Sequence, residues 1–171
     1  MKQSLYALSF LLSIGLIYLA FVFHGQLGQF HSWGIFGIFL INLFGSATLF
    51  VPAPAIATVI AGGAVYSPLL VAPAAAIGAS LGDSLGFFLG NSGTHLVVKK
   101  GEAYWYNLLK KNFKKFGGLI IFLFAFIPNP FFDGIGILAG VSGYSFVRFF
   151  TIMLLGRLAR DILLASLGAR L

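Results

Sequence analysis

Apolar residues fall into four long stretches separated by short polar punctuation: residues 4–23, 33–66, 69–90 and 117–167. None shows the strict alternation of a half-buried strand, and each is apolar around a full helical turn. About 20 such residues are what a helix needs to cross the ~30 Å hydrocarbon core of a bilayer. Pro52 and Pro54 interrupt the second stretch, Pro128 and Pro130 the fourth, which breaks again near Gly143. Two prolines two residues apart remove donors from adjacent turns and end a helix. Within lipid such a break survives only where protein or water satisfies the freed backbone groups. The pattern therefore predicts two re-entrant hairpins, with arms 33–51 and 55–65 in the first, 117–127 and 131–141 in the second. Arms of about 11 residues reach only ~17 Å, too short to span.

The chain also matches itself. Setting Ala61 against Ala139 aligns it without a gap to Gly90 against Gly168. Identical pairs include Gly62/Gly140, Tyr66/Tyr144, Ser67/Ser145, Gly78/Gly156, Asp83/Asp161 and Gly90/Gly168, and a Pro-x-Pro precedes each copy. Paired, Pro-broken units with a buried acid in each mark a transporter-type architecture. The predicted fold is an all-α multi-pass membrane protein of inverted repeats, each a re-entrant helical hairpin followed by a transmembrane helix. One membrane domain fills 1–171: an N-terminal helix and loop (1–32), a first repeat (33–90), a basic amphipathic linker (91–116) and a second repeat (117–171).

Composition agrees. The chain is 59% hydrophobic with a mean hydropathy of +0.98, and carries eleven Lys and Arg against four Asp and Glu. That is too little charge to cover a soluble domain. There is no cysteine, which excludes disulfides and thiolate metal sites. Residues 4–23 follow Lys2 and lack an A-x-A-like cleavage site, so an uncleaved first membrane helix is expected.

Charge sets the orientation. Lys99, Lys100, Lys110, Lys111, Lys114 and Lys115 face only Glu102 in their segment, which places it on the cytoplasmic side of a cell membrane. With Lys2 also inside, the two copies of the repeat come out oppositely oriented. Tyr104, Trp105, Leu108 and Leu109 interleave with these lysines, as suits the headgroup zone. The segment reads as a topology anchor or as a surface recruiting anionic lipid. Net charge of +7 is explained this way without nucleic acid. Arg148, starting the last helix, reads as an anchor at the same face.

The candidate chemistry is intramembrane. Asp83 lies mid-helix beside a ladder of Gly78, Gly82, Gly86 and Gly90, which lets another helix approach closely. An unpaired carboxylate there costs roughly 2.5–3.5 kcal/mol on insertion scales. It serves either a transport path or a structural hydrogen bond. Arg157, Arg160 and Asp161 follow Gly156 on the last helix. Arg157 and Asp161, four apart, share a face and are expected to pair, leaving Arg160 for Asp83. Arginine suits fork-like binding of phosphate, although a purely structural ion network is the alternative. Asp133 is placed to cap the second arm of hairpin two, and Asn129 to satisfy broken backbone groups. His24, His31 and His95 make no metal-ligand pattern. No nucleotide loop, H-E-x-x-H or nucleophile–base set is legible, so neither an enzyme nor a cofactor is expected.

Gly82-Asp83-Ser84-Leu85-Gly86-Phe87-Phe88-Leu89-Gly90, Phe126-Ile127-Pro128-Asn129-Pro130-Phe131-Phe132-Asp133 and Leu138-Ala139-Gly140-Val141 resemble the DedA family, also called the VTT or SNARE-associated Golgi protein family. The Pro-Asn-Pro version is most similar to its vacuole membrane protein branch. The resemblance covers roughly 42–168 and implies opposed re-entrant hairpins and movement of lipids between leaflets, by scramblases in eukaryotic members and by flippases for a polyprenyl phosphate among bacterial ones. Bacterial members carry acids around the first Pro-x-Pro and arginines around the second proline. Here residues 47–56 hold no acid, and Ala125 and Phe131 stand at the arginine positions. These departures favour lipid scrambling or an atypical specificity over a proton-coupled phosphate grip. The expected function is a membrane lipid transporter, scramblase or flippase. A proton- or cation-coupled carrier of a small solute and a non-transporting scaffold are the alternatives. Membrane lipids are the expected partners, with protons as a candidate coupling ion and an oligomer left open.

Overall fold

The computed structural model describes residues 33–47, 53–97, 104–127 and 134–170. Among these there are six helices and no strand: α1 (Gly34–Ala47), α2 (Ala53–Val65), α3 (Pro68–Val97), α4 (Tyr104–Phe126), α5 (Ile135–Val141) and α6 (Phe146–Gly168). α4 ends at Phe126, before the Pro128–Pro130 pair, and α2 opens at Ala53, within the Pro52–Pro54 pair. Pro54 is the second residue of α2, where no intrahelical donor is needed. Pro68 opens α3 in the same way, with the Ser67 carbonyl accepting from the N–H groups of Leu70 (2.9 Å) and Val71 (3.1 Å). Its repeat counterpart Ser145 is the N-cap of α6 and accepts from the Phe149 N–H at 2.9 Å.

The break near Gly143 is a Schellman turn. Gly143 takes φ +71°, its N–H donates to the Gly140 carbonyl, and the Tyr144 N–H donates to the Ala139 carbonyl, both at 3.1 Å. Left-handed backbone costs a side-chain-bearing residue roughly 1–2 kcal/mol, so glycine belongs there.

The packing is reciprocal. α3 packs against α1 and α5, α6 packs against α4 and α2, and α3 and α6 pack on each other. Every packed pair has a counterpart when α1, α2 and α3 are exchanged for α4, α5 and α6. Equivalent glycines make equivalent crossings. A Cβ on Gly78 would strike the Phe39 carbonyl of α1, and one on Gly156 would meet Ala125 and the Phe122 carbonyl of α4. Gly90 lies against Ile137 of α5, and Gly168 against Ile60 of α2. Backbones this close leave no room for a side chain, which is the use small residues have in membrane helix packing.

Polarity is inside out. Asp83, Arg157, Arg160 and Asp161 are buried, while Ile77, Leu81 and Phe88 on α3, Leu119, Leu123 and Phe124 on α4, and Val147, Leu155, Leu163 and Leu167 on α6 are exposed. One helix among the described residues, Pro68–Thr94 within α3, is long and apolar enough to cross a membrane. At ~1.5 Å per residue it is ~40 Å long. The expected apolar crossing by 146–167 is found as a helix of sufficient length, but Arg148, Arg157, Arg160 and Asp161 keep α6 below that apolarity.

Three boundaries differ from expectation. α3 runs on to Val97 rather than ending at Gly90. The lysine-rich segment and the arm expected at 117–127 form one continuous helix, α4. No proline separates them, and Gly117-Gly118 is held straight through by Tyr144 and Ile152, which a Cβ at each would touch. The arm expected from residue 131 is helical from Ile135. The membrane helix expected at 4–23 lies outside the described residues.

These contacts separate two kinds of glycine. A Cβ on Gly140 would meet the Phe87 carbonyl and the Asn91 nitrogen, whereas one on Gly143 has open space around it. Gly140→Ala is expected to lower stability by about 1–3 kcal/mol through overpacking, and Gly140→Ser no less. Gly143→Ala is expected to cost about 1–2 kcal/mol through backbone conformation alone, most of it recovered by Gly143→Asn, which tolerates positive φ. Thermal unfolding in detergent micelles checks the four variants.

Candidate functional site

The buried charges meet where α3 crosses α6. Glycines hold the flanking helices close: Gly82 lies against Leu43 and Ala47 of α1, Gly136 of α5 against the Asp83 carbonyl, and Gly156 against α4. α3 is thus clasped on two sides with its single acid turned toward α6. Arg157 grips Asp83 with both forks: Nε donates to Oδ2 at 3.0 Å and Nη2 to Oδ1 at 2.9 Å, with Nη2 also 2.8 Å from Oδ2. Arg160 turns to its neighbour, with Nε and Nη2 each 2.9 Å from Asp161 Oδ1. Adjacent helical residues point apart; the length of arginine closes this pair. Asp83 and Asp161 are fully buried, and Arg157 and Arg160 are 3% and 6% exposed. The four charges sum to zero, as burial away from water requires.

Asp83 is thus gripped by Arg157 and Asp161 by Arg160, two pairs that the spacing along α6 did not announce. The crossing places the carboxylate of α3 within reach of Arg157, and a bidentate grip is a strong bond. Repeat symmetry covers the acids alone: Ala79 and Gly82 stand in α3 where α6 has Arg157 and Arg160. Among the described residues, buried Asp161 Oδ2 has no hydrogen-bond partner.

Other buried polar groups escaped sequence reasoning. Asn42 on α1 is fully buried, donating from Nδ2 to the Ile38 carbonyl (2.8 Å) and to Thr58 Oγ1 of α2 (3.4 Å), so it ties the first hairpin's arms together. Its Oδ1 and the Ser80 hydroxyl have no hydrogen-bond partner among the described residues. A lone amide between Ile41 and Leu43 was the available signal, since such a residue in an apolar run seeks another helix. A cleft of about 160 Å³ opens between α1 and α2, lined by Ile38, Ile41, Thr58, Ala61, Gly62 and Val65 among others, and no member of the charged quartet lines it. Asn129 and Asp133, with Pro52, Pro128, Pro130, Lys99 and Lys100, lie outside the described residues. Lys111, Lys115 and Arg148 are exposed on α4 and α6.

Compared with known protein families, residues 51–170 match the VTT domain. The chain belongs to the VTT, or DedA, family. The match takes in both Pro-x-Pro segments, α2 through α6 and all four buried charges of this VTT protein. No curated protein and no solved structure matches it. Membership agrees with the inside-out polarity and with the resemblance carried by the Gly82–Gly90 and Phe126–Asp133 motifs.

The pairing carries a stability prediction. Arg157→Gln strands a buried carboxylate and is expected to cost about 3–5 kcal/mol. Adding Asp83→Asn removes that charge, so the double variant is expected to be more stable than Arg157→Gln alone. Denaturation of the two single variants and the double variant in micelles checks this. Additive losses would mean that the two side chains act independently.

Proposed function

We propose that this VTT protein is a non-enzymatic lipid transporter, a scramblase or flippase that moves headgroups between leaflets while the acyl tails stay in the bilayer. The observation that carries the reading is the neutral quartet of Asp83, Arg157, Arg160 and Asp161, buried at the α3–α6 crossing of a molecule whose outer surface is apolar. Intramembrane ionisable residues are costly and mark pathways for polar cargo. The reciprocal packing of α1–α3 and α4–α6 supports an inverted repeat, with each hairpin entering from its own side and the two long helices crossing between them. In this reading the hairpins thin the barrier from both faces, and the quartet is the polar step between them. Asn129 and Asp133 are assigned to the same path.

The orphaned Oδ2 of buried Asp161 favours a second reading, an ion-coupled carrier of a small solute. A carboxylate oxygen without a donor is a place for a proton or a cation.

Proteoliposomes with labelled lipids test both readings. The wild type is expected to accelerate leaflet exchange well above empty vesicles. Arg157→Lys keeps the charge but loses the two-pronged grip, and is expected to slow exchange about tenfold or more, as misplaced groups in a transport or reaction path do. No acceleration by verified folded protein, together with uptake of a soluble solute that depends on Asp161, would favour the carrier. No flux of either kind would favour a scaffold.

A further inference from the structure

We propose that Lys111, Lys115 and Arg148 form a docking level for anionic phospholipid headgroups at the base of α4 and α6. α4 carries Lys110, Lys111, Lys114 and Lys115 within six residues and holds no acid. Its outer surface changes character in one step. Lys111 and Lys115 are exposed one turn apart, and from Phe116 to Phe126 no charge follows. In that apolar part Phe116, Leu119, Phe122, Leu123 and Phe124 are exposed. The Lys115 ammonium lies 5.0 Å from the Phe116 ring centroid, its stem folded along the apolar wall and its head at the boundary.

Tertiary packing brings a third cation to this boundary. Gly117 of α4 sits against Tyr144, and Gly118 against Ile152. Phe113 meets the Tyr144 ring edge-on at 6.2 Å. The start of α6 is thereby pinned beside the lysine-to-apolar step, and Arg148, exposed in its first turn, stands at that height. Among the described residues neither Lys111, Lys115 nor Arg148 has a carboxylate partner, because the two described acids, Asp83 and Asp161, are buried in the quartet. Among the described residues no carboxylate neutralises this level.

An anionic lipid surface is the occupant that fits. It supplies negative charge in a plane, at the depth where the helix surface turns apolar, and each cation near such a surface contributes about 1 kcal/mol. The eleven residues from Phe116 to Phe126 then reach ~17 Å into the hydrocarbon, about half its thickness. A nucleic acid or an acidic protein would also meet the charge, but it would leave the adjoining apolar wall uncovered. The inference needs only that α4 and α6 enter lipid, and stands apart from the transport reading.

The test uses the full chain purified in neutral detergent micelles. Unfolding temperature is followed while short-chain phosphatidylglycerol, phosphatidylcholine or inorganic phosphate is added. Phosphatidylglycerol alone is expected to stabilise, with the effect falling as salt rises. At roughly fivefold per cation, the Lys111→Gln/Lys115→Gln/Arg148→Gln variant is expected to need on the order of 100-fold more of it for half the effect. Lys111→Arg/Lys115→Arg is expected to behave as the wild type. Equal stabilisation by phosphatidylcholine or by free phosphate, or an unchanged response in the triple variant, would overturn the proposal. So would stabilisation by an RNA oligonucleotide matching that by phosphatidylglycerol.

Discussion

The bidentate pair between Asp83 and Arg157 is the interaction around which the molecule is arranged. It joins the two longest-reaching contacts of the fold, α3 and α6, and it does so away from water. In low dielectric a charge pair of this kind is not strongly stabilising in itself, but losing one partner is severe. The geometry of the crossing is therefore narrowly specified: a shift that separates the pair strands a charge. Glycines at 82, 136 and 156 seat the flanking helices closely against α3 and α6 on either side of it. The second pair, Arg160 with Asp161, keeps the site neutral.

Around that crossing each half lends an arm to the other. α2 packs on α6 as well as on α1, and α5 packs on α3 as well as on α4. Neither half would bury its long helix alone, because each supplies one flank of the other's. The glycines that matter for this exchange, Gly90 against α5 and Gly168 against α2, are repeat equivalents. A structure built this way has its paired charges at the centre, beside a core that includes Phe87 and Phe149, and leucines such as Leu81, Leu119, Leu155 and Leu163 outside, the arrangement lipid selects. The cationic level of α4 and α6 marks where that apolar surface stops.

Much of this was legible in the chain. The two Pro-x-Pro pairs fall where α1 gives way to α2 and α4 to α5, because a missing donor and a ring clash act locally, although Pro73 is accommodated inside α3. The self-match placed Gly78 with Gly156, Gly90 with Gly168 and Ser67 with Ser145, and each pair does the same work in the two halves. Gly143 was read as a break, and its positive φ is the reason. Asp83, Arg157, Arg160 and Asp161 were singled out because charge inside an apolar run has to be buried with a partner. The extent of α4 was misjudged. A glycine pair looks like a boundary until Tyr144 and Ile152 are seen to fill the space beside it.

Sequence by itself determined which residues had to be buried together, where the backbone had to break and that the surroundings had to be lipid. These follow from propensities and solvation costs that depend only on neighbours along the chain. Tertiary structure alone decided who pairs with whom. The four-residue spacing set Arg157 beside Asp161, and the α3–α6 crossing brought a carboxylate from 74 residues away into the arginine's fork. It likewise joined Asn42 to Thr58 and set Arg148 level with the lysines of α4. Such choices rest on distances between helices, which packing of small residues sets and no local pattern encodes.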